Sequence, residues 1–167
     1  MKRYVLAGLA VLLAAAPERA VASDGATVSI STSGGVTFAA ANPSTQPITP
    51  ASTSLVATIT INGAKNGNSW FLTIRGANSN FTGTSGAPIP ISNVHWTATA
   101  AVISGAGSAS VSSGQNLSTT DVPVASGLEG NKSPCIIQVT FNFKINNSWT
   151  YDADTYLQNL VLTATAL

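Results

Sequence analysis

Apolar residues in this chain recur at every second position far more often than at every third or fourth. The clearest run is 135–145. Cys135, Ile137, Val139, Phe141, Phe143 and Ile145 share one parity; Ile136, Gln138, Thr140, Asn142 and Lys144 share the other. Successive side chains of a strand point to opposite faces, so this spacing predicts a strand with one dry and one wet face. Asn146-Asn147 follows as a turn, because asparagine tolerates the left-handed region. Residues 55–61 alternate in the same way, with Leu55, Ala57, Ile59 and Ile61 on one side. Trp70, Leu72 and Ile74 then alternate with Phe71, Thr73 and Arg75. The Asn62-Gly63 and Asn66-Gly67 pairs between these two runs predict a hairpin.

A further strand is expected over 94–102, with Val94, Trp96, Ala98, Ala100 and Val102 on one face, and a last one over 156–166. Segments 27–31 and 36–39 add one or two more. Residues 42–50, 76–90 and 104–133 are expected as loops, the third with a weak strand near Val122-Pro123-Val124. Turn residues separate the runs, and no 3.6-residue apolar period follows the N-terminus. The expected fold is all-β: an antiparallel, immunoglobulin-like β-sandwich of about six to nine strands.

The N-terminus has a different pattern. Met1-Lys2-Arg3 is positive, 4–16 is apolar and uncharged, and Ala20-Val21-Ala22 is an A-x-A cleavage site. That order predicts a signal helix over 1–22, removed after Ala22. The apolar run is too short to span a bilayer and is broken at Pro17-Glu18-Arg19. The expected mature chain is one domain over 23–167, secreted or at the cell surface. It passes through a periplasm if the host has two membranes, and has no membrane span after cleavage.

Charge narrows the function classes. After removal of 1–22 the bases are Lys65, Arg75, Lys132 and Lys144, and the acids Asp24, Asp121, Glu129, Asp152 and Asp154. No basic stripe follows a phosphate backbone or an anionic membrane, so nucleic acid is not an expected partner. So little charge also gives little repulsion between copies. Cys135 is the single cysteine, which excludes a disulfide within the chain.

Two stretches carry a resemblance. Ser69-Trp70-Phe71-Leu72-Thr73-Ile74, then Phe81, then Pro88-Ile89-Pro90-Ile91-Ser92-Asn93-Val94-His95-Trp96, form the first. Trp149-Thr150-Tyr151-Asp152-Ala153-Asp154-Thr155-Tyr156, before a closing alternating strand, is the second. Both resemble secreted bacterial surface β-sandwich proteins of the spore-coat-protein-U-like and fimbria-like kinds, and more loosely the WxL cell-wall-binding domains. Trp70-Phe71-Leu72 matches the W-x-L tripeptide, whereas Leu162 stands near where such a domain has its second tryptophan. The 152–156 segment is also similar to the corner that opens strand F of immunoglobulin-like folds, which makes Tyr156 a structural corner residue. Gln158 then stands where a true immunoglobulin domain has cysteine.

Candidate chemistry is sparse. Trp149 and Tyr151 are the candidate ligand-binding residues, since flat apolar rings stack on sugar faces; Trp70 and Trp96, on apolar parities, are expected in the core. Asp152 and Asp154 are the candidate calcium ligands, because hard cations take oxygen donors. The pair also fits a turn, and otherwise no metal site and no cofactor is expected. His95, the single histidine, lies opposite in parity to Trp96 and is expected at the surface, without a nucleophile motif beside it. Cys135 is expected as a buried, inert thiol. The expected function is non-catalytic: an exported structural or adhesive protein, a pilus-like subunit that self-associates or joins other surface proteins by backbone pairing and strand addition. The alternative is a carbohydrate-binding module for cell wall or extracellular polysaccharide.

Overall fold

The computed structural model describes residues 9–11, 26–39, 41–63, 67–83, 87–131, 133–151 and 156–167. Among them lie fourteen strands, a single 3-10 turn at Ile91–Asn93 and no α-helix. The excess over the expected six to nine comes from two- and three-residue pieces, inside the segments expected as loops and, for Leu9–Val11, inside the one expected as a signal helix.

The centre of the larger sheet is β13 (Cys135–Asn146), the longest strand. Its predicted dry parity is buried throughout. On one flank it pairs with β9 (Val94–Ser104), whose outer neighbour is the short β11 (Gln115–Asn116). On the other flank two strands share its length. β5 (Leu55–Asn62) pairs with 135–141, and β4 (Ile48–Pro50) pairs with 144–146. β2 (Thr27–Ser33) closes that side on β5. The second sheet has the order β10 (Ser110–Val111), β12 (Val122–Leu128), β6 (Ser69–Gly76) and β14 (Leu160–Ala166). Every strand pair in both sheets is antiparallel.

The inner parities of both sheets meet in one cluster. It joins Leu55, Ile59, Ile137, Val139 and Phe141 from the larger sheet with Trp70, Leu72, Ile74, Leu162 and Ala164 from the smaller. Trp96 meets Phe141 edge-on at 6.1 Å between ring centroids, and Phe141 stacks on Phe143 at 5.9 Å. A buried aromatic side chain of this kind removes well over 100 Å² from water, so these rings carry a large share of the apolar burial. At the margins, β14 runs close to β2 and β10 close to β9.

Three expectations change. The runs 55–61 and 70–75 are strands, but not a hairpin: β5 belongs to one sheet and β6 to the other. Both bury a full period-2 face, and one core is filled best when those faces oppose each other. The connection is tied to the end of β12, through Gly67 N–H to the Glu129 carbonyl at 3.0 Å and Glu129 N–H to the Asn68 carbonyl at 2.7 Å. The weak strand near Val122 is a full inner strand of the smaller sheet, paired on both sides. Within 94–102 only Val94 and Trp96 are fully buried, while Ala98, Ala100 and Val102 are partly covered.

Of the segment read as a signal helix, only Leu9–Val11 falls within the described residues, and it is extended. It forms β1, antiparallel to β3 (Val36–Phe38), with Leu9 opposite Phe38 and Val11 opposite Val36. No helix among the described residues is long and apolar enough to cross a membrane. The remaining short pair is β7 (Asn80–Phe81) with β8 (Ile89–Pro90).

Candidate functional site

Trp149 and Tyr151 follow β13, where the chain leaves the larger sheet. The turn is stitched to the loop before β4: Asn147 N–H donates to the Pro47 carbonyl at 2.8 Å and its side-chain amide to the Ala41 carbonyl at 3.0 Å. Within that loop Asn42 holds Ser44, accepting its N–H on Oδ1 at 2.9 Å. Ser44 Oγ in turn accepts the Trp149 indole N–H at 3.2 Å. The indole is therefore held at its polar edge, yet Trp149 is 48% exposed. Ile48, opposite Asn146 on the neighbouring strand, is also exposed.

Tyr151 has a different setting. It is half-buried, packs against the core, and accepts a hydrogen bond on its hydroxyl from the Asn93 side-chain amide. The two aromatics are thus anchored on different segments, and only Trp149 offers an open ring. Such a ring can stack on the C–H face of a sugar or on an apolar side chain. Trp70 and Trp96 are fully buried.

Asp152 and Asp154 lie outside the described residues. Among the described residues no cluster of three or more His, Cys, Asp or Glu comes together to hold a metal. Tyr156 is fully buried at the head of the last strand segment. Two residues on, Gln158 is buried as well. Its amide nitrogen donates to the Asn78 and Asn80 carbonyls at 2.7 and 3.1 Å, and its Oε1 accepts the Asn159 N–H at 3.0 Å. A satisfied glutamine thus ties the β14 lead-in to the β6–β7 turn.

His95 sits on the outer face of β9, half-buried, with Nδ1 3.2 Å from Asn116 Oδ1 on β11. An amide oxygen accepts from a ring N–H and does not activate a nucleophile. Cys135 is buried, and its thiol donates to the Ala106 carbonyl at 3.5 Å. Burial pushes the thiol pKa up, and the Glu129 carboxylate adds to this, while a backbone hydrogen bond from Gly130 opposes it. The reactive thiolate is disfavoured.

Glu129, in the segment expected as a loop, is only 1% exposed. It borders a cavity of about 270 Å³ lined by Gly67, 106–108 and 128–131. Here two backbones meet closely. A Cβ on Gly127 would lie 1.8 Å from the Ser108 carbonyl, and one on Gly130 2.1 Å from the Ala106 backbone. Ser108 N–H donates to the Leu128 carbonyl, and Ser108 Oγ accepts the Leu128 N–H, both at 3.0 Å. The glycines of 104–133 are the signal that marks this seam in the sequence.

The outer face of the larger sheet is rich in hydroxyls. Ser31, Thr58, Gln138 and Ala101 form one row across four strands, and Ser33, Val56, Thr140 and Thr99 the next. The outer face of the smaller sheet carries exposed Phe71 diagonal to exposed Leu128. No protein-family model, curated protein or solved structure matches the chain.

Proposed function

We propose that this chain is an exported structural or adhesive protein of the cell surface, a non-catalytic subunit that works by associating with copies of itself or with other surface proteins. In this reading 1–22 is a cleaved signal segment, and 23–167 is one immunoglobulin-like β-sandwich with Tyr156 at its corner. The observation that carries it is the outer surface of the two sheets. Two uncharged, hydroxyl-bearing rows cross the outer face of the larger sheet, and apolar Phe71 and Leu128 stand open on the smaller. Faces with so few charges favour contact between chains over repulsion. The settings of His95 and Cys135 support the non-catalytic part: one faces an amide and the other is held as a buried thiol.

Sedimentation velocity and negative-stain electron microscopy of the processed protein test this. Concentration-dependent oligomers or filaments are expected. A monomer across the accessible concentration range, without binding to any surface protein of its host, would overturn it.

A second reading, a carbohydrate- or cell-wall-binding module, is favoured by Trp149 alone, whose ring is open and fixed at its nitrogen by Ser44. Retention on purified peptidoglycan or polysaccharide that is lost on Trp149→Ala supports this reading. Retention that Trp149→Ala leaves unchanged removes the stacking site.

A further inference from the structure

Among the exposed apolar side chains of the described residues, Trp149 alone carries a polar atom, and that atom is held. The Ser44 hydroxyl takes the indole N–H at 3.2 Å. The turn beneath the ring is closed as well. Ser148 and Thr150 join their hydroxyls at 2.7 Å, and the Tyr151 N–H donates to the Ser148 carbonyl at 3.3 Å. Ring and turn are thus set before any ligand arrives, which lowers the ordering cost of binding. What stays open is the flat face of the ring, with the exposed Ser44 hydroxyl at its edge. Ser44 accepts from the indole on its oxygen and keeps its own O–H as a donor.

The charge around the ring selects the ligand. Residues 26–64 and 145–167, which hold Ser44 and Trp149, contain no lysine, arginine or histidine, whereas Asp152 and Asp154 follow Trp149 in sequence. The nearest base along the chain, Lys144, is on β13 opposite Pro50. Carboxylate and phosphate groups are held by cations and charge-assisted donors, and these two stretches supply no cation. An apolar face with a hydroxyl at its rim instead matches a pyranose ring, which offers C–H groups on its face and hydroxyls around it. We propose that Trp149 and Ser44 form a one-sugar stacking subsite for an uncharged polysaccharide. The proposal rests on the second reading above and narrows it: polymers whose repeat bears a carboxylate or phosphate are rejected. One ring holds one sugar weakly, and a polymer raises the number of units within its reach.

The test is co-sedimentation of the protein with four insoluble polymers. Cellulose and chitin are the neutral probes, and a cross-linked polyuronate and purified peptidoglycan the charged ones. Retention on a neutral polymer is expected, with about a tenfold loss of association constant in Trp149→Ala and about a threefold loss in Ser44→Ala. Trp70 and Trp96 are buried, so a shift of tryptophan emission when a soluble neutral glucan is added to the native chain reports Trp149 without any substitution. Retention on the charged polymers alone overturns the uncharged class and leaves the carbohydrate reading standing. Retention on a neutral polymer that Trp149→Ala leaves unchanged, with no emission shift, overturns the subsite. Full retention in Ser44→Ala overturns the part given to Ser44. Retention on none of the four removes the carbohydrate reading, and the proposal with it.

Discussion

The two sheets are each built on an inner strand, and these strands are made in opposite ways. β13 alternates without interruption from Cys135 to Ile145, burying every odd position. β12 contains Pro123, Ser126 and Gly127, and its register slips between Pro123 and Ala125. It holds proline, serine and glycine, yet six of its seven residues pair with β6 and two of them with β10 as well. β13 is a strand because of its own residues. β12 is one because its neighbours leave it no other place: β6 pairs with six of its residues, and the 106–108 backbone clamps its far end. An autonomous strand should fail when its side chains are cut. An imposed one should fail when its backbone is pushed away from its neighbours.

The largest effect is expected from cutting β13. Phe141 is fully buried, stacked on Phe143 and edge-on to Trp96. Phe141→Ala removes those contacts and leaves a cavity under both sheets, at a cost of about 3–5 kcal/mol. Urea denaturation followed by tryptophan fluorescence reads this as a lower midpoint at unchanged slope. A loss below about 1 kcal/mol would show that β13 is not the spine of the core.

Next comes β12, attacked through its backbone. At Gly127 an added Cβ would meet the Ser108 carbonyl at 1.8 Å, and that carbonyl accepts the Trp70 indole N–H at 3.1 Å. Gly127→Ala must therefore move the 106–108 segment or the Trp70 ring. Overpacking of this kind costs roughly 1–3 kcal/mol, which is a large price for one methyl group. In the same denaturation assay a neutral outcome would mean that the seam gives way, and that β12 holds its place by its own residues.

This division also decided what could be read in advance. The strands that announce themselves, at 55–61, 70–75 and 135–145, carry enough alternating apolar residues to define a face without reference to anything else. The partner of each face is not encoded in that pattern. Asn-Gly pairs after β5 suggested a local hairpin, whereas the chain crosses to the opposite sheet, because joining two filled faces buries more apolar area than pairing them side by side. β12 and the short strands inside expected loops were illegible for the converse reason: their extended shape is imposed by tertiary pairing, and propensity is a weak prior against that. At the site, the parity rule put Trp70 and Trp96 in the core and Cys135 among the buried thiols. It did not separate Trp149 from Tyr151, since their exposure depends on Ser44 and Asn93, remote in sequence. The burial of Glu129 was not legible because the glycines that mark the seam do not show which side chain it covers.

The point where the two regions touch supplies a smaller test. Cys135 begins β13, and its thiol donates to Ala106 in the seam. Burial raises its pKa above the ordinary 9.0 in the folded state. The unfolded thiol therefore loses its proton first, and Cys135 contributes stability that is fully present below that ordinary value. The contribution declines as pH rises towards the folded pKa. Chemical denaturation from pH 7 to pH 10 should give a steeper fall for the native chain than for Cys135→Ala. Parallel curves would mean that the thiol is as solvated when folded as when unfolded, and that the seam does not close over the head of β13.

The smallest effect is expected at Pro123, and it distinguishes imposed from intrinsic strand formation most directly. Proline lacks the N–H of a ladder residue and belongs at edges or bulges. Pro123 is exposed, opposite Thr73, at the slip in register. If β12 owed its conformation to local preference, Pro123→Thr would stabilise it noticeably, since threonine favours strands and restores a donor. If the neighbours impose that conformation, the new N–H faces an irregular ladder and gains little. The proline's restriction of the unfolded chain, worth roughly 0.4–1 kcal/mol, is lost at the same time. The two contributions oppose each other, and the net change should stay within about 0.5 kcal/mol. A gain well beyond that, measured by the urea midpoint, would show that β12 is limited by its own sequence after all and would erase the contrast with β13.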